Sequence, residues 1–227
     1  MRKHILTLTL LILCMLSASA DDKWQPVPSW PFIYSDFQSA VIKTVKGTTV
    51  NAKANIHIGH HYLWYESKGK NLEAKKGTVK EVIFPNGKHY IAVGDKICLI
   101  IKEDTIKGKL HRLLYSEEVD MPRYNDIVRN NKAAESSSTI DFMGLNNLNL
   151  DVAVRESSNI SEQEPLPIKN VFFIQIGDET FEATESNILQ HLDKEERKVY
   201  KAYTRKAEII TSDMNSMLDV FTTFFLR

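Results

Sequence analysis

The sequence predicts an α+β fold: an antiparallel β meander, folded into a sandwich or partial barrel, with two to three short helices at the C-terminal end. Two observations predict it. Between Asp36 and Glu118, short segments of alternating apolar and polar residues recur at a spacing of about 8–12 residues, with turn formers between them. After Ser186 the apolar spacing changes from two to three and four, which is helical. A chain of 227 residues with 43% hydrophobic and 26% charged composition is long enough for one domain with a sizeable core, with or without a small appendage.

Residues 1–20 read as a cleaved signal peptide. Met1-Arg2-Lys3-His4 is basic, Ile5 to Leu16 is an apolar run of twelve, and Ala18 and Ala20 are the small residues that precede cleavage after Ala20. Such a run is shorter than the roughly 20 residues that a spanning helix needs. Leu13 before Cys14 argues against lipidation at that cysteine. The expected mature product runs from Asp21 to Arg227, is periplasmic or secreted, and carries no transmembrane segment. It keeps one cysteine, Cys98, inside the apolar run Ile97 to Ile101, where a thiol serves as a small buried hydrophobe.

Residues 21–122 form the expected β-rich body. It opens with an arm, Trp24 to Pro31, whose prolines favour extended chain and whose tryptophans are expected to pin it down. Strands are predicted at Ala40 to Val45, Val50 to Ile58, Tyr62 to Tyr65, Val79 to Phe84, His89 to Val93, Ile97 to Ile101 and Leu110 to Tyr115. Among the turns, Asn86-Gly87 is the strongest signal, since both residues tolerate positive φ. Residues 123–168 form a variable, loop-rich segment with a strand expected at Leu148 to Val154. Residues 169–227 hold a strand pair, Val171 to Ile176 and Thr180 to Thr184, followed by the helices. A short turn carries Ile188, Leu189 and Leu192. Asp193 and Glu196 fit a reciprocal cap for a helix with Val199, Tyr200 and Tyr203 on its apolar side. Ser212 or Asp213 caps a last helix striped by Met214, Met217, Leu218, Phe221, Phe224 and Phe225.

The formal charge is zero and the sequence pI about 7.1, which argues against nucleic acid as a partner. The charge is unevenly spread. Val41 to Arg112 holds thirteen Lys and one Arg against six acids, whereas Ser116 to Glu195 holds sixteen acids against six bases. A Lys-rich sheet face would suit anionic glycan or lipid headgroups. Lysines at exposed edges also deter sheet-to-sheet aggregation, and the acidic half would suit packing against the basic one.

The order of pieces resembles a known family. Asn51-Ala52-Lys53-Ala54-Asn55-Ile56 leads to Tyr62-Leu63-Trp64-Tyr65, then to Val79-Lys80-Glu81-Val82-Ile83-Phe84, Lys88-His89-Tyr90, Lys107-Gly108-Lys109-Leu110 and Leu113-Leu114-Tyr115. Val171 to Ile176, Phe181-Glu182-Ala183-Thr184, Asp193 to Tyr203 and Ile209 to Phe225 complete it. This pattern is similar to that of exported proteins of Bacteroidetes-type Gram-negative bacteria, a family without an established activity. The resemblance covers most of the mature chain, though Pro85-Asn86 and residues 123–168 depart from it. It implies an envelope or secreted location and a non-enzymatic role, with no catalytic residues to carry over.

One local constellation could carry chemistry: His57-Ile58-Gly59-His60-His61. On a continuous strand His57 and His61 would share a face about 13 Å apart, too far to hold one metal. A turn at Gly59 would bring His57 to His60 or His61, with His89 or a carboxylate as third ligand. The simpler expectation is a set of polar residues flanking a hairpin turn. There is no His-Glu-x-x-His, Cys-x-x-Cys, Gly-x-Ser-x-Gly or phosphate-loop motif in the sequence. The leading expectation is therefore an exported envelope or secreted protein of non-enzymatic binding or structural type, needing no cofactor, whose partner is an envelope protein or glycan. The alternatives are a metal-dependent or glycan-acting hydrolase using His57, His60 and His61, and a protein-partner adaptor using the Lys-rich face.

Overall fold

The computed structural model describes residues 31–120, 122–123 and 167–227. The expected signal peptide with its expected cleavage after Ala20, residues 24–30 of the arm and the strand expected at Leu148 to Val154 lie outside the described residues. Ten strands form one antiparallel sheet: β1 Gln38–Thr44, β2 Thr49–His57, β3 Tyr62–Ser67, β4 Lys70–Glu73, β5 Val79–Ile83, β6 His89–Val93, β7 Lys96–Ile106, β8 Lys109–Val119, β9 Ile168–Ile176 and β10 Glu179–Glu182. Three helices follow: α1 Glu185–His191, α2 Lys194–Ala207 and α3 Met214–Phe225.

The strand order is β10-β9-β8-β7-β6-β5-β1-β2-β3-β4. The chain thus starts near the middle, meanders outward to β4, returns beside β1 as β5, and meanders outward again. The return dictates the shape. Leu72, Tyr65, Ala54 and Gln38 stand in one row across four strands, whereas Val79 pairs with Thr44, six residues further along β1. In a flat sheet Leu72 and Val79 would be roughly 28 Å apart, at about 4.8 Å per strand and 3.4 Å per residue. The chain between them reaches at most about 24 Å. The sheet must therefore curl, and it does so into a half-barrel. Of the two shapes the sequence left open, a sandwich and a partial barrel, the second is formed.

Specific bonds fasten the curl. The Tyr62 hydroxyl accepts the Gly77 N–H (3.0 Å) and donates to the Lys75 carbonyl (3.4 Å), and Val45 N–H bonds the Thr78 carbonyl (3.0 Å). On the far side β3 comes into contact with β7, where the Ile97 N–H donates to the His61 carbonyl (2.8 Å). Ala40, Ile42, Ala54, Ile56, Tyr62, Leu63, Val82, Phe84, Tyr90 and Ile97 fill the interior of the curl.

The C-terminal strand pair joins this same sheet at β8, with β9 in register from His111↔Ile176 to Val119↔Ile168. β9 is buried on both faces. Phe172 and Ile174 meet the helices, while Val171 and Phe173 belong to a cluster with Ile91, Cys98 and Leu114. Thr184 caps α1, and Asp193 with Glu196 forms the reciprocal cap of α2. Asp213, not Ser212, caps α3. The α3 stripe of Met217, Val220, Phe221, Phe224 and Phe225 is buried against Leu113, Phe172, Ile174 and Tyr200.

Several expectations need correction. β4 was not expected, because all four of its residues are exposed and carry no alternation. Val199 is 52% exposed, and the buried side of α2 rests on Tyr200 instead. In the β5–β6 turn only Gly87 takes positive φ (79°); Asn86 instead accepts the Lys88 N–H on its side chain (3.0 Å). β7 and β8 each run to eleven residues, well past the expected strand ends, through a bulge between Ile100 and Lys102.

His191 ties α1 to the edge strand. Its ring stacks on Phe181 at 3.6 Å, with Nδ1 2.7 Å from the Asn187 carbonyl and Nε2 3.0 Å from Glu179 Oε1. Burial opposes its charged form, but two acceptors on two ring nitrogens prevail and raise its pKa. The resulting stabilisation is fully present below the unfolded value of about 6.5 and is lost as pH rises through the folded one.

Three outcomes are expected from equilibrium urea unfolding. Tyr62→Phe strands the Gly77 N–H and costs about 1–3 kcal/mol. Phe221→Ala opens a cavity under α3 and costs about 3–5 kcal/mol. His191→Gln flattens the fall in stability on the alkaline side of pH 6.5 relative to the parent protein; an identical slope in both would refute the role given to the ring.

Candidate functional site

The β2–β3 hairpin turns through Ile58-Gly59-His60-His61, with His57 and Tyr62 as its last pair. The left-handed residue of this turn is His61 (φ 57°), not Gly59. Histidine visits this region at some cost, of order 1 kcal/mol. That twist sends the neighbouring imidazoles in different directions.

His57 and His60 come together, with ring centroids 4.4 Å apart, and the His60 N–H donates to His57 Nδ1 (3.0 Å). His57 also stacks on Trp64 (5.4 Å) and meets the edge of Phe32 (5.1 Å). His60 Nδ1 lies 3.0 Å from Glu73 Oε2 on β4. His57 Nδ1 is thus occupied by the turn's own backbone, a poor disposition for a ligand nitrogen. His61 is not part of this pair. His89, the suggested third ligand, sits elsewhere, 3.2 Å from Glu81 Oε2 in a row with Lys43. Among the described residues, no three His, Cys, Asp or Glu side chains are grouped so as to hold a metal ion.

His61 faces a largely enclosed cavity of about 40 Å³ at the closure of the half-barrel. Its walls include Ile56, Ile97 and Leu99, and its other polar residues are His57, Tyr90, Tyr115, Ser116, Glu117 and Lys88. The Tyr34 and Tyr90 hydroxyls bond each other (3.2 Å). The Tyr115 hydroxyl donates to Glu117 Oε1 (3.0 Å), with Asn170 Oδ1 as a second acceptor in reach (2.9 Å). Burial first, then the bond to Tyr34 and the Glu117 charge, hold the Tyr90 phenol far above its usual value. Burial and the adjacent Glu117 do the same to Tyr115. Burial also lowers the His61 pKa, outweighing the opposing pull of Glu118, so the ring favours its neutral form. Two of the residues that line this space each carry a buried atom with no hydrogen-bond partner among the described residues, His61 Nδ1 and Glu117 Oε2.

The other candidates are placed as follows. Burial pushes the Cys98 thiol up to about 12, which keeps it protonated and unreactive. Among the described residues, ion pairs of the Lys-rich stretch are mostly internal to it. Lys43 pairs with Glu81, Lys53 with Glu66, Lys76 with Asp95 and Arg112 with Glu103, all within the basic stretch; Lys96 bonds Glu118 across the divide. Many of the remaining lysines occupy hairpin turns, such as Lys46, Lys68 and Lys107, instead of one sheet face. A shallower groove of about 510 Å³ crosses β1 and β2, lined by Val41, Asn51, Lys53, Ile83 and Pro85 among others.

Sequence reasoning missed Tyr34, Tyr90, Tyr115 and Glu117. One signal was available: Tyr115 and Glu117 are two apart on a strand, so they share a face. Their meeting with Tyr90 and His61 depends on the curl, which alternation does not encode. No helix among the described residues is long and apolar enough to cross a membrane. Comparison with protein-family models, with curated proteins and with solved structures finds no match.

Proposed function

We propose that this chain is an exported envelope or secreted protein of Bacteroidetes-type, acting as a non-enzymatic binding or structural module. The carrying observation is the closure cavity: polar atoms with open hydrogen-bonding capacity set in an aliphatic wall, which is how small recognition sites are built. Phenols held neutral and a thiol held protonated favour recognition over nucleophilic chemistry. The export half of the reading rests on the basic start, the apolar run and the Ala18-Ser19-Ala20 site. The resemblance to the exported family supports the same compartment. An envelope protein or glycan is the partner class that this location favours.

The hydrolase alternative is disfavoured by the use of His57 Nδ1 inside its own turn and by the separation of His89 from it. The adaptor alternative is weakened by the local pairing of the lysines.

Two measurements test the reading together. N-terminal sequencing of protein from the producing cell's outer fractions is expected to begin at Asp21. Metal analysis of that material is expected to give no stoichiometric transition metal; one equivalent of zinc, lost in both His57→Ala and His60→Ala, would establish the hydrolase alternative instead.

A further inference from the structure

We propose that the cavity at the closure of the half-barrel is a seat for a primary ammonium group, so that the ligand of the binding module inferred above is an amine; the proposal rests on that reading and names its ligand class. The argument starts from the Glu117 carboxylate. Tyr115 satisfies its Oε1 (3.0 Å), while Oε2, on a side chain that lines the cavity, is buried and unpartnered among the described residues. Leaving a buried carboxylate oxygen open costs more than leaving a neutral group open, so the site favours an occupant that donates to it.

The remaining lining selects among donors. A calcium ion takes about six to eight oxygens, several of them carboxylate, and zinc takes about four nitrogen, sulfur or oxygen ligands. Here one carboxylate, Glu117, and two imidazoles, His57 and His61, line the space; His57 Nδ1 already accepts the His60 N–H, and no metal-holding group of three is present among the described residues. An anion is repelled by Glu117 itself. A primary ammonium brings three N–H donors and a positive charge on a small head. Oε2 of Glu117 takes the charge, and the Tyr90 and Tyr115 phenols add lone pairs and aromatic faces. The cavity, about 40 Å³, has room for about three water-sized groups, enough for the ammonium head and a water on His61 Nδ1.

An ammonium group of the chain already lies beside this space. The Lys88 ammonium lies 5.6 Å from the centre of the Tyr34 ring, and the hydroxyl of that same tyrosine is bonded to Tyr90. Lys88 itself lines the cavity. Its presence there sets a built-in rival for the seat.

The test is an NMR titration of the purified ¹⁵N-labelled protein with methylammonium chloride, against potassium chloride at equal ionic strength. Saturable shifts of the Ile97, Leu99 and Ser116 amides with methylammonium alone are expected. Glu117→Gln should weaken the response by about tenfold or more, and Tyr115→Phe by less, since a charge-assisted bond exceeds a neutral one. The same spectra report whether each variant is folded, and Tyr115→Phe keeps the test alive if Glu117→Gln is not. Equal responses to the two salts, an undiminished response in folded Glu117→Gln, or a response seen only in Lys88→Met would each overturn the proposal. A second arm replaces methylammonium with Nα-acetyl-lysine methylamide: the tighter of the two tells whether the amine comes from a partner's lysine or from a small molecule. Exported, metal-free protein that ignores methylammonium removes the ligand class and leaves the binding role standing; stoichiometric zinc removes the binding role itself.

Discussion

The length of the link between β4 and β5 governs this molecule. Five residues, Ala74 to Thr78, must carry the chain from one edge of a four-stranded meander back to its first strand. The flat arrangement is out of their reach, so curvature is a consequence of chain length before any side chain is considered. Side chains then hold what the link imposes. Tyr62 grips the link from the interior, and the fully buried Ala54, Leu63 and Val82 give the inner face the mixture of small and large residues that a tight curl needs.

The cavity is a product of the same constraint. Tyr90 and Tyr115 lie two strands apart, on β6 and β8, and His61 comes from a turn that is far from both in the strand order. Only when β3 swings over to β7, closing on the Ile97 to His61 bond, do these residues look into one space. The closure is made by few atoms, and the polar groups at it are only half satisfied. Under the binding role proposed above, those open positions are what the site would offer a ligand.

Much of the scaffold was legible in the sequence. Alternation located seven strands and the terminal pair, because each has one face in a core and one outside or is buried on both. The Asp193–Glu196 cap could be read because its chemistry is local to four residues. What failed was non-local. β4 pairs with β3 through its backbone while exposing every side chain, so no hydrophobic pattern marks it. Val199 satisfies helical spacing, yet Tyr200 beside it takes the buried place. The histidine cluster stood out by composition, but the turn that places its rings depends on the left-handed φ of His61, a property no spacing rule carries. The phenol and carboxylate at the closure were unremarkable as sequence and became a site only through the curl.

Among the described residues the ten-stranded sheet does not close completely and has two rims, and both are blunted. At one rim β4 presents four exposed residues, beginning with Lys70 and ending with Glu73; at the other, the equally short β10 begins with Glu179 and ends with Glu182. Two copies meeting rim to rim at β10 would set glutamate beside glutamate, and neither ribbon is long enough to template a neighbour. The architecture thereby carries its own protection against stringing into fibres, a useful trait for a chain whose β structure would otherwise invite sheet-to-sheet growth at high local concentration.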